Sequence, residues 1–161
     1  MQVFVTTEIS AALFQAAVAL GLAGLFLYLY RRYAKPHFLW WAIAWGLFTL
    51  RLVAIISFLA SDRWAWLYWH QVATGWTALG LLWAALVFSR QIALRPGYLL
   101  ALLFPVLWSF IAIFKLDTFV LAAVPAVLFL SATTGWTGWV FLQYRRRTGS
   151  SAALFLAAAF G

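Results

Sequence analysis

Five apolar segments, 9–30, 38–59, 64–88, 98–114 and 119–144, follow one another with only short polar connections between them. A helix needs about 20 apolar residues to cross the hydrocarbon core of a bilayer. In that medium every backbone N–H and C=O must find its partner inside the protein, which leaves helices and closed barrels as the spanning structures. The segments are too long and too uniformly apolar for barrel strands, so the chain is expected to be all-α: a polytopic transmembrane bundle forming a single membrane domain over residues 1–161. A sixth apolar run, 151–161, is only about 15 Å of helix at 1.5 Å per residue. It is expected to lie in the interface or, preferably, to begin a further span of a longer chain.

Composition agrees. Hydrophobic residues make up 67% of the chain and charged residues 9%, against roughly a quarter charged in soluble domains, and the mean hydropathy is +0.98. The net charge of +8 would suit a nucleic-acid binder. The basic residues, however, sit in short knots between apolar runs, as in cytoplasmic membrane loops, so no nucleic acid partner is expected. There is no cysteine, which excludes disulfides and thiolate chemistry. Met1–Ser10 contains no Lys or Arg, so a cleaved signal peptide is not expected either.

Orientation follows from the basic residues. Arg31, Arg32, Lys35, Arg90, Arg95, Arg145, Arg146 and Arg147, eight of the 11, follow the first, third and fifth segments, whereas Arg63 and Lys115 lie on the opposite side. The N-terminus is therefore expected outside a bacterial inner membrane, with Arg31, Arg32, Lys35 and Arg145–Arg147 as cytoplasmic anchors. Glu8, Asp62 and Asp117, the three acids, fall on the outer side. Trp40, Trp41, Trp64, Trp66 and Trp139 sit near the predicted membrane faces, where an indole keeps its N–H among headgroups. Trp45, Trp76, Trp83, Trp108 and Trp136 lie deeper and each needs an acceptor, as bundle core or as an aromatic wall around an apolar or cationic ligand.

Small residues recur at helical spacing: Ala17, Gly21 and Gly24; Ala73, Thr77, Gly80 and Ala84; Ser131, Gly135 and Gly138. Such stripes let helices approach closely in lipid, and all three are expected to pack inside the bundle. Arg51 is the most informative polar residue, because a cation about 12 Å from the end of its span is costly unless paired or hydrated. Glu8 and Gln15 share one face of the first segment and His70 and Thr74 one face of the third. The expectation is an outward-facing polar pocket between the first three segments, built from Arg51, His70, Gln15, Glu8 and Thr74, serving as a structural network or as a sensor of an anion or of pH.

Two histidines and three outer carboxylates provide no paired acid–base or metal constellation, and there is no phosphate-binding glycine loop. No enzyme activity and no resident cofactor are expected of these residues, the alternative being pigment or metal ligation at His70.

Tyr30-Arg31-Arg32-Tyr33 with Lys35-Pro36, then Phe38 to Trp45 and Leu50-Arg51-Leu52, resembles the multi-pass N-terminal input region of bacterial sensor proteins that precedes PAS, histidine kinase or GGDEF diguanylate cyclase domains. Trp136 to Phe141, with Tyr144 to Ser150, resembles a later helix of that region and the loop after it. The resemblance implies a membrane sensory domain cut off from its output module. The other readings are an accessory subunit of an energy-transducing or pigment-bearing membrane complex and, third, a small transporter. The bilayer and other membrane subunits, or a second copy of the chain, are the expected partners.

Overall fold

The computed structural model describes residues 2–89, 98–116 and 119–160. Arg90, Arg95 and Asp117 lie outside the described residues, as does the side chain of Glu8. Six helices follow in order: α1 Gln2–Tyr33, α2 Pro36–Ser61, α3 Trp64–Phe88, α4 Leu99–Phe114, α5 Phe119–Thr148 and α6 Ser151–Phe160. Among the described residues, α2 and α3 and the segments Ile9–Tyr33 of α1 and Val124–Thr148 of α5 are long and apolar enough to cross a membrane. α4, with 16 residues, is about 24 Å long and falls short of that length.

The first two connections use one turn design. Ala34 closes α1 in the left-handed region at φ 50°, its N–H donating to the Tyr30 carbonyl at 2.8 Å. Lys35 then extends at φ −90°, ψ 122° ahead of Pro36, because a residue before proline is pushed out of the helical region. Asp62 repeats the left-handed step at φ 52° with its N–H on the Phe58 carbonyl, and Arg63 extends before α3 starts. Two-residue turns of this kind leave successive helices antiparallel and side by side.

α3 is the axis of the bundle. Half of its apolar window is buried, against 6% for α1, and it packs against α2, α4 and α5, while α1, among the described residues, packs only against α2. Its small-residue stripe does what the sequence suggests, since Ala73, Thr77, Gly80 and Ala84 are all buried. A β-carbon on Gly80 would stand 3.2 Å from that of Ala44 on α2. On another face, a β-carbon on Gly75 would fall 2.5 Å from Cγ of Pro105 on α4. The other two stripes correct the sequence reading. Gly21, Gly24 and Gly135 have no atom within 4 Å of an added β-carbon, and Ala17 and Ser131 are exposed, whereas Gly138 is buried as expected. α1 turns Ala19 inward instead, and α5 turns Thr133, Thr137, Val140 and Phe141 inward. Spacing alone fixes which residues share a face, not which face has a neighbour.

At one end of the bundle, His37 of α2 meets Phe88 of α3 at 5.2 Å and Phe88 meets Tyr144 of α5 at 4.9 Å between ring centroids. Arg31, Arg32, Lys35 and Arg145–Arg147 therefore collect at the same end, all exposed. Gly149, at φ 68°, ends α5 with its N–H on the Arg145 carbonyl, the left-handed helix stop that glycine adopts freely. α6 then folds back along α5, and Ala157 joins Ala85, Leu86, Val140 and Phe141 in a buried cluster. The run 151–160 is thus packed on the bundle along α5.

Adding a methyl group inside the α3–α4 contact has a predictable cost. Gly75→Ala is expected to destabilise the detergent-solubilised protein by about 1–3 kcal/mol through overpacking, and Gly21→Ala to leave its thermal midpoint unchanged. Equal midpoints for the two variants would refute the packing.

Candidate functional site

A cavity of about 590 Å³ opens beside α3 in the half of the bundle away from the basic end. α3 supplies Leu67, His70, Gln71, Thr74 and Gly75, positions i, i+3, i+4, i+7 and i+8 that line one helix face. Arg51 of α2 faces them, and α4 and α5 close the far wall with aromatic and aliphatic side chains, chiefly Phe104, Trp108 and Phe129. α2 packs against α1 and α3 and, among the described residues, against neither α4 nor α5. The cavity is therefore open along α2 towards the surrounding lipid, and Trp64 and Leu116 mark its outer end.

Pro105 shapes the α4 wall. Lacking an N–H, it leaves the Ala101 carbonyl without its helical donor and disturbs the turn before it. The Trp76 indole of α3 donates to the next carbonyl, that of Leu102, at 3.0 Å, as neighbouring helices do around intramembrane prolines. Phe104 stacks on Phe129 of α5 with centroids 4.7 Å apart, tying the two far helices together.

Arg51 and His70 come together, through a different bond from a side-chain pair. His70 Nδ1 lies 3.1 Å from the Arg51 carbonyl oxygen. A carbonyl only accepts, so this partner assigns a proton to Nδ1 and leaves Nε2 as the open nitrogen of the ring. Thr74 donates its hydroxyl to the His70 carbonyl at 2.7 Å and is satisfied within its own helix. The Arg51 guanidinium sits over the Phe48 ring with Cζ 5.1 Å from the centroid. Its Nε is buried and has no hydrogen-bond partner. Among the described residues no carboxylate pairs with it; Asp62 is exposed at the helix end.

Gln15 stands apart. Phe26 meets Phe38 and Trp41 across the α1–α2 hairpin, a register that puts Gln15 level with Arg51, yet the side chain is exposed and no described residue of α1 lines the cavity. The pocket lies between α2, α3, α4 and α5 instead of between the first three helices. Depth was legible from spacing, whereas the side of α2 that α3 covers was not. Sequence reasoning missed Gln71, Pro105 and Ser109, all on the cavity wall, whereas Trp108 was among the deep tryptophans open to an aromatic-wall reading. The amide of Gln71, beside His70 in an apolar segment, was a usable signal.

Of the deep tryptophans, Trp76 has its acceptor, Trp45 and Trp83 bury an unpaired Nε1, and Trp136 is 54% exposed on the outer surface of α5. Among the described residues no three His, Cys, Asp or Glu side chains gather as a metal site requires. Comparison with protein-family models, curated proteins and solved structures finds no match for this chain.

An unpaired guanidinium at this depth opposes stability, because a cation within the bilayer costs about 2.5–3.5 kcal/mol on insertion scales. Arg51→Met is therefore expected to raise the thermal midpoint of the ligand-free protein in detergent, by the equivalent of about 1–3 kcal/mol. A fall of the size seen on breaking a buried ion pair, about 3–5 kcal/mol, would instead reveal a carboxylate partner.

Proposed function

We propose that this chain is the membrane-embedded sensory domain of a bacterial signalling protein, without catalysis of its own. In this reading the chain makes five crossings of the inner membrane, α4 included, and has its N-terminus outside. The observation that carries the reading is the cavity: Arg51, with its buried Nε unpaired among the described residues, is kept facing a space in the half of the bundle away from the basic cluster, where structural economy alone would favour an apolar residue.

The same helix that lines the cavity reaches the opposite end of the bundle. α3 runs from Trp64 at the cavity mouth to Phe88, which packs against His37, Phe141 and Tyr144 beside the basic cluster. A ligand that favours one separation of α3 from α4 and α5 biases the arrangement of α5 and α6 at that end, which is the differential contact a signalling bundle needs. The basic cluster supports a cytoplasmic position for that end.

Purification of the chain from its native membrane in mild detergent, with mass spectrometry of what accompanies it, tests the reading. A kinase or cyclase module, fused or associated, is the expected result. Recovery in stoichiometric amounts with an energy-transducing or pigment complex, or with no output module, would overturn it.

A further inference from the structure

We propose that the cavity binds a single-chain amphiphile bearing one carboxylate, of the long-chain fatty acid class, which enters from the bilayer. This deepens the sensory reading by naming the ligand class, and it rests on that reading only for its consequence in the cell.

The head is assigned by Arg51. A carboxylate approaching a guanidinium from the side takes one N–H from Nε and one from Nη in a two-pronged bond. Nε of Arg51 is the donor that the protein leaves unused. His70 directs its Nδ1 to the Arg51 carbonyl, and Arg51 is the one Arg or Lys among the described lining residues, a single guanidinium that a monoanion balances and a dianionic phosphate ester does not. Among the described residues no acidic side chain lines the cavity, and the Arg51 guanidinium repels an amine or a choline head.

The tail is assigned by the opposite wall. Phe104, Trp108 and Phe129 line it, with Pro105, Val127 and Leu130 between them, a surface that offers an acyl chain dispersion contacts while the head is fixed across the cavity. A volume of about 590 Å³ lies within the range of roughly 300–1,000 Å³ typical of sites for one small molecule, which selects one chain over the two of a phospholipid. The opening along α2 faces lipid, so the ligand needs no passage through water.

The direct test is native mass spectrometry of the full chain in a non-ionic detergent with palmitate, hexadecanol, lysophosphatidylcholine or phosphatidylglycerol added in turn. One palmitate per chain is expected, with the other three bound at least tenfold more weakly. Arg51→Gln removes the charge and Val127→Trp fills the cavity from its exposed rim while keeping Arg51; each is expected to weaken palmitate binding at least tenfold with helical content unchanged. Equal retention of hexadecanol, or undiminished palmitate binding by either folded variant, overturns the assignment; equal retention of phosphatidylglycerol overturns the single-chain ligand. Palmitate binding that leaves the associated output enzyme unaffected would sink the sensory reading and leave the site standing. An output response in a protein that does not bind palmitate would do the reverse.

Discussion

Gly75 lies so close to Pro105 that a methyl group there would meet the ring at 2.5 Å, and most of the bundle follows from this contact between α3 and α4. Lipid tails are as apolar as the helices they surround, so helices in a membrane are held by close packing rather than by exclusion of water. Close packing needs small residues where backbones meet. α3 has them on two faces, Gly80 against Ala44 of α2 and Gly75 against Pro105 of α4, and so it becomes the helix on which the others are mounted. α1, with its glycines facing outward, is attached, among the described residues, through α2 alone.

The cavity is a consequence of the same arrangement. α2 and the α4–α5 pair are both pressed against α3, and nothing among the described residues brings them against each other. The space between them receives the polar face of α3 and the one cation of α2. Pro105 contributes twice, by packing on Gly75 and by loosening a turn of α4 whose Leu102 carbonyl is then met by Trp76. The polar groups that remain are satisfied locally: Thr74, Thr77, Thr133 and Thr137 all return their hydroxyls to carbonyls of their own helices. Trp45, Trp83 and Arg51 each bury an N–H without a partner among the described residues, and of the three Arg51 lines the cavity, which is why it directs the functional reading.

Much of the architecture was legible in the sequence because hydropathy and length alone decide it. The positions of α2 and α3, the interruptions at Lys35-Pro36 and Asp62-Arg63, and the collection of Arg31, Arg32, Lys35 and Arg145–Arg147 at one end follow from apolar runs and their basic interruptions, whereas α1 begins at Gln2, ahead of its apolar run. The association of Arg51 with His70 was legible too, since counting residues from the α2–α3 turn puts both at similar depth. What counting does not supply is azimuth. Gln15 has the right depth and the wrong side of α1, Gly21 and Gly24 have the right spacing and no neighbour, and Trp136 is deep in sequence terms but faces outward. In a soluble protein the apolar stripe of a helix marks its inward face, because the opposite side must be polar; in lipid both faces are apolar, and the information is lost. The places of Phe104 and Phe129 in the cavity wall were invisible for the same reason.

The central claim is that the gap beside α3 is a ligand site and that its two walls hold different ends of one molecule. Nuclear Overhauser effects between a protonated palmitate and the protein, in nanodiscs of deuterated lipid, measure this most directly. The account predicts cross-peaks from the acyl methylenes to the rings of Phe104, Trp108 and Phe129, and from the methylene next to the carboxylate to the Arg51 side chain. Cross-peaks confined to Phe14, Leu20 and Leu25 on the outer surface of α1, where any dissolved amphiphile would brush the protein, would contradict it.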